Sequence, residues 1–174
     1  MKPTFILLLL AMVATLSGCK KEDFELTSDP EVEEYIALLK ANQYDLMGLP
    51  DFSHQQIPAL LIYRNETQVI TDFPHNGLSS LYGPDCKLGM YVLWTIESIR
   101  AVAIDSEFLS PGRFPSLNPI LALRDADELE VVYDSESHEV AAKAYYDWWI
   151  TNRDKDFDEF KNTDPLSETA YRWH

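Results

Sequence analysis

Two cysteines, six glycines and four histidines in 174 residues leave little material for the common catalytic and metal-binding devices. The glycines stand singly, so the chain has no glycine-rich phosphate loop, and it has no G-x-S-x-G elbow. His54, His75, His138 and His174 are isolated, with no H-E-x-x-H and no C-x-x-C, so a zinc site would need long-range assembly throughout. Asp154, Asp156 and Asp158 alternate like the start of a calcium loop, but Glu159 stands at the sixth position, which needs glycine. Pro165 stands at the twelfth, which needs the bidentate glutamate. No metal and no cofactor is expected. Basic charge is scarce as well: 14 Lys and Arg face 29 Asp and Glu, a formal net charge of -15. Such a surface repels the phosphate backbone and excludes nucleic acid as a partner.

The first nineteen residues follow a different plan. Lys2 precedes an apolar run from Phe5 to Leu10, then small residues, and the segment ends in Leu16-Ser17-Gly18-Cys19, the layout of a secretory signal peptide. The run falls short of the roughly 20 residues that a membrane-spanning helix needs. Leu-Ser-Gly-Cys resembles the lipobox of bacterial lipoproteins, which implies removal of residues 1–18 and acyl chains on Cys19. Two or more such chains make a stable anchor, each buried methylene contributing about 0.8 kcal/mol. Residues 19–29 read as a lipidated, solvated, acidic tether. Within it, Lys20-Lys21-Glu22-Asp23-Phe24-Glu25 resembles the export tags of Bacteroidota lipoproteins. Together with the stretch Leu93-Trp94-Thr95-Ile96-Glu97, these segments resemble the small lipoproteins common in Bacteroidota. The resemblance implies a lipid-anchored protein of the outer membrane, at the surface or on the periplasmic face, and carries no functional residues with it. With Cys19 taken by lipid, Cys86 has no intramolecular partner, and a lone thiol is usually a small buried hydrophobe.

Residues 30–174 are long enough for one domain that buries about 70% of its unfolded surface without metal or disulfide. The patterning predicts an all-α domain. Asp29-Pro30-Glu31 opens a helix expected to run to about Tyr44, and Ile57 to Arg64 forms a second, shorter one. Residues 65–87 are broken by Pro74, Asn76-Gly77 and Gly83-Pro84, with one helical turn expected around Val69 to Phe73. Leu88 to Ile104 predicts the central buried helix. Helix resumes at Pro119 to Arg124, the stretch Leu129 to Tyr133 is ambiguous, and a long helix is expected from Ser137 to about Phe160. Tyr171 and Trp173 predict a tail that packs back on the domain. The order long helix, breaker, proline, short helix occurs at 31–64 and again at 88–124, and it resembles the helical hairpins of HEAT-type repeats. The expected architecture is therefore an irregular helical bundle or a short HEAT-like stack, with at most a small β hairpin.

Three clusters carry the functional expectations. Glu97 and Arg100 lie 60° apart on the central helix while apolar residues fill nearly every other direction. They form either a buried pair or part of a pocket floored by Glu97 and flanked by Trp94 and Arg100. Tyr145, Tyr146, Trp148 and Trp149 cannot all face one core from a single helix, so some of them meet the tail or a partner. Cys86, His75 and Asp72 or Asp85 supply the residue types of nucleophile, base and orienter, although nothing in the spacing assembles them. The candidate binding residues are Trp94, Glu97, Arg100, Tyr145, Trp148 and Trp149, with none expected to be catalytic. The expected function is a non-enzymatic envelope lipoprotein that binds another envelope protein or an extracellular polymer. The alternative is a small envelope hydrolase acting on peptide or glycan through paired carboxylates, which would need one of them with a raised pKa in a shared cleft.

Overall fold

The computed structural model describes residues 26–81, 83 and 85–174. The segment expected to be a signal peptide, the expected lipidation site Cys19 and most of the expected tether lie outside the described residues. The first helix, α1 (Pro30–Lys40), starts as its residues dictate: Asp29 Oδ1 accepts the Glu31 and Val32 N–H groups, and Pro30 needs no such partner. It ends four residues before Tyr44. Asn42 takes a left-handed φ of 54°, and the Gln43 N–H donates to the Leu38 carbonyl at 2.9 Å, which closes the helix as a Schellman motif. A 3-10 turn (His54–Gln56) leads into α2 (Ile57–Ile62), with Pro58 in its first turn.

The central helix α3 (Leu88–Ala103) is buried at thirteen of its sixteen positions, so the other elements pack around it. It too ends in a Schellman closure, with Asp105 at φ 52° and the Ser106 N–H on the Ala101 carbonyl at 2.9 Å. The long α4 (Ser135–Asn152) is capped by Asp134 and crosses α3. The chain then turns at residues 153–156 into the short α5 (Phe157–Phe160), where a capping box between Asp156 and Glu159 restarts the helix.

The all-α expectation fails. The domain is mixed α/β: an antiparallel ribbon pairs β1 (Val69–Ile70) with β2 (Cys86–Lys87), and a second antiparallel sheet runs β4 (Val131–Val132), β3 (Leu121–Leu123), β5 (Tyr171–Trp173). The segment expected to resume helix after Pro119 is the middle strand, and with it the second hairpin of the HEAT-like stack disappears. Four consecutive apolar residues, Ile120 to Leu123, fit a strand covered on both faces as well as a helix turn, and periodicity alone cannot separate the two. Pairing partners decide, and one of them comes from the last four residues of the chain. Leu121 pairs with Val132 on one side and Trp173 on the other. The turn expected at Val69 to Phe73 is strand for the same reason, since Ile70 pairs with Cys86 across the irregular segment. The tail does pack back, as β5.

The loop after α3 is fixed by backbone proximity. A Cβ on Gly48 would lie 2.7 Å from the Gly112 Cα, and Gly112 has φ +86° with Phe114 Cε2 only 2.6 Å from where a Cβ would sit. Gly112→Ala is therefore expected to cost more than about 1 kcal/mol in urea unfolding followed by tryptophan fluorescence. Gly77→Ala, where a Cβ meets nothing within 4 Å, is the matched control and should change stability by less than about 0.5 kcal/mol. Equal effects at the two glycines would remove the close-approach argument.

Candidate functional site

Glu97 is the buried acid of the central helix, and three donors converge on it. Arg100 Nε donates to Oε2 at 3.0 Å, Arg100 Nη2 to Oε1 at 2.5 Å, and the Tyr145 hydroxyl to Oε2 at 2.7 Å. The Trp173 indole N–H in turn donates to the Tyr145 oxygen at 2.8 Å, and Arg100 Nη1 reaches the Lys161 carbonyl at 3.2 Å. Burial alone would lower the Arg100 pKa, but the hydrogen bonds and charge of Glu97 outweigh it and raise it. Burial likewise raises Tyr145, with the Glu97 charge adding to it. Every polar atom of the pair thus faces protein, and the cluster joins α3, α4, the residue after α5 and β5. It is a structural tie.

Trp94 does not flank it. Its indole N–H donates to Ser116 Oγ at 2.8 Å and its ring stacks on Phe114 at 5.4 Å, so it holds down the loop before β3. Trp148 and Trp149 are buried against α5, with ring centroids 5.1 and 6.0 Å from Phe160. Neither indole N–H has a hydrogen-bond partner among the described residues, an exception to the usual pairing of buried indoles. Of the six expected binding residues, Glu97, Arg100 and Tyr145 come together as a tie, while Trp94, Trp148 and Trp149 serve separate packing sites.

The best-formed concavity lies elsewhere, where the β1–β2 ribbon, the β3–β4 pair and the N-terminal ends of α3 and α4 meet. It encloses about 230 Å³. Phe73, Met90, Ile120 and Val132 give it apolar walls, and Cys86, His75, Asp85 and His138 bring polar groups to it. Val69 and Tyr133, 53% and 63% exposed, stand among its lining residues and mark the mouth. A second, wider groove of about 450 Å³ runs between α4 and residues 163–169, but it is open, and Lys143 and Asp147 on its rim are already paired with each other.

Cys86, His75 and Asp85 do share this partly open cavity, yet they do not make a catalytic set. Burial pushes the Cys86 thiol up to about 12, and its sulfur donates to the Lys87 carbonyl at 3.3 Å. A nucleophile would need the opposite shift. Among the described residues no three His, Cys, Asp or Glu side chains converge to hold a metal, and no helix is long and apolar enough to cross a membrane.

His138, which the sequence showed only as one isolated histidine, is the most constrained polar group there. Its Nε2 lies 2.8 Å from the Arg64 carbonyl, an acceptor, so Nε2 carries the proton and Nδ1 is left with a lone pair. Room for the ring comes from Gly89, where a Cβ would stand 2.5 Å from that same carbonyl and 2.6 Å from the imidazole. A glycine inside an otherwise apolar helix was the only signal in the sequence for this approach. Burial lowers the His138 pKa and Lys87 adds to it, against the Arg64 hydrogen bond and the Glu139 charge.

A family model for a domain of unknown function, DUF4943, matches residues 26–174 and so includes every element of this fold. The chain belongs to that family. No curated protein and no solved structure matches it. In this DUF4943 domain the cavity is thus defined by geometry alone, and the carboxylates whose acidity the fold displaces, Asp134 and Asp158, are both displaced downward by hydrogen bonds. A hydrolase would need the reverse on one acid.

Two measurements follow from these contacts. Glu97→Ala leaves a buried guanidinium without its counter-ion and should cost about 3–5 kcal/mol, whereas replacing Glu97 and Arg100 together by leucine should cost clearly less. Urea midpoints of the two variants in the opposite order would show that the pair is not enclosed. The second concerns pH. His75 and His138 both titrate below their unfolded value near 6.5 because burial disfavours the imidazolium. The unfolded chain therefore binds more protons just below that pH, and stability present above it is lost as pH falls. Between about pH 7.5 and 5.5 the unfolding free energy should decline, with a shallower slope in His138→Gln, which keeps a donor for the Arg64 carbonyl. Identical slopes would mean that His138 does not contribute.

Proposed function

We propose that this chain is a lipid-tethered, non-catalytic binding protein of the bacterial envelope, which holds a group of another envelope protein or of an extracellular polymer in the cavity between its two sheets. The observation that carries the reading is the cavity itself: a partly open space lined by apolar side chains and several polar groups, with two exposed side chains, Val69 and Tyr133, among its lining residues. Its size bears on what enters. Sites for drug-sized molecules span about 300–1,000 Å³, and about 230 Å³ accommodates a single ring or side chain. Such a group belongs naturally to something larger that stays outside, as a polymer or protein does. The raised thiol of Cys86 supports binding over covalent chemistry. The proposed anchor is acyl chains on Cys19, with an outer-membrane location following from the signal segment and tether.

The test compares two full-length baits in detergent, the native protein and Val69→Trp, against solubilised cell envelopes. A tryptophan at position 69 closes the mouth from an exposed strand position and should leave the melting temperature within a few degrees. A partner recovered by the native bait and lost by the equally folded variant supports the reading. Equal recovery by both baits, or recovery by neither at low and moderate salt, overturns it.

A further inference from the structure

We infer that the cavity takes one uncharged sugar residue of an extracellular glycan, an inference that rests on the cavity being the binding site. Acceptors stand among the polar groups that line it. His138 Nδ1 keeps its lone pair because Nε2 is committed to the Arg64 carbonyl. Asp134, an exposed carboxylate in the lining, accepts the Ser137 N–H at 2.7 Å through Oδ1, and a carboxylate has about four lone-pair sites in all. Asp85 adds an exposed carboxylate at the cavity. Against these, the Asn118 amide is turned onto Ser79, and Lys87, which gives one of its three N–H groups to Ser135 Oγ at 3.3 Å, is the charged donor of the lining. Such acceptors call for a ligand rich in hydrogen-bond donors, and the hydroxyls of a sugar ring supply several at once.

The rest of the lining narrows the class. Phe73, Met90 and Val132 offer apolar surface for the C–H face of a ring, and Tyr133 at the mouth offers an aromatic face for the next one. Two carboxylates, Asp85 and Asp134, outnumber the one ammonium of Lys87 at the cavity, so a uronate or other acidic sugar meets net repulsion. An arginine or lysine head would satisfy the acceptors and be attracted by these carboxylates, but Lys87 opposes it and the apolar part of the lining leaves some of its hydration uncompensated. A neutral polyol avoids both penalties and fits the volume.

The experiment is ligand-observed NMR on the full-length protein in detergent, with neutral methyl hexosides and N-acetylhexosaminides, neutral oligosaccharides ending in each, the matched uronides, and blocked dipeptides bearing aromatic or basic side chains. Binding of at least one neutral glycoside is expected, abolished in Val69→Trp. Asp134→Asn is expected to weaken it about tenfold, since asparagine keeps the cap but places a donor where an acceptor stood. Circular dichroism checks that both variants fold. Uronides binding as tightly as their neutral counterparts overturn the uncharged assignment. Dipeptide binding sensitive to Val69→Trp, with no response to any glycoside, overturns the sugar and leaves the cavity as a protein-binding site. No response sensitive to Val69→Trp from any class overturns both readings.

Discussion

The carboxylate of Glu97 constrains the fold more than any other single group. It sits on the one helix that everything else packs around, and an unpaired charge there would be prohibitive. Its three donors come from the same helix and from α4, and the chain continues through the Tyr145 oxygen to the indole of Trp173. Trp173 pairs with Leu121, so the position of the C-terminal strand, and through it the whole three-stranded sheet, is tied to an ion pair on a helix more than seventy residues earlier. A buried pair of this kind adds little net stability over an apolar replacement. Its effect is to permit one arrangement of α3, α4 and β5, because any slip leaves a charge or a hydroxyl without a partner.

The same helix builds the cavity from its other end. β2 runs directly into α3, so Cys86 and Lys87 are strand and helix entrance at once. The Leu88 and Gly89 N–H groups are spent on the Gln68 and Glu66 carbonyls, which pins the ribbon to the helix start. The absent side chain of Gly89 lets the His138 ring and the Arg64 carbonyl approach, and so brings the start of α4 against the start of α3. A positive helix end and a shortage of water both disfavour a charged imidazole, so the geometry that opens the cavity also keeps its histidine neutral.

Local signals in the sequence were read successfully where structure is local. The Asp29-Pro30 start of α1, the burial of the central helix and the proximity of Glu97 to Arg100 all depend on residues within one or two turns of each other. The ends of α1 and α3 were harder, because Asn42 and Asp105 adopt the left-handed conformation that glycine usually marks. The strands were barely legible: only the ambiguity at Leu129 to Tyr133, which holds β4, pointed to one. β1, β3 and β4 are two or three residues long and acquire their character from partners that only the folded chain supplies, in one case from its last residues. The aromatic block on α4 has the appearance of surplus surface in the sequence because the residues of α5, which cover it, continue the helical pattern of α4. A break at residues 153–156 turns Phe157 and Phe160 back onto Trp148 and converts a candidate interface into core. The cavity shared this fate, since Asp85, His138 and Tyr133 come from segments that meet only through those non-local strands.

Surface charge and cavity chemistry then act at different ranges. A formal net charge of -15 discourages polyanions during approach, but its reach is limited to roughly 8 Å in physiological salt. It therefore says little about which neutral or cationic molecule stays bound. Retention depends on the cavity, where two neutral imidazoles and an inert thiol stand among apolar walls. Under the proposed function an anionic ligand would meet the Asp85 and Asp134 carboxylates there, whereas one with hydroxyls would meet acceptors held near the start of α4 and its cap. Exclusion of acids by the surface and preference for uncharged donors by the cavity are thus separate selections, set by separate residues.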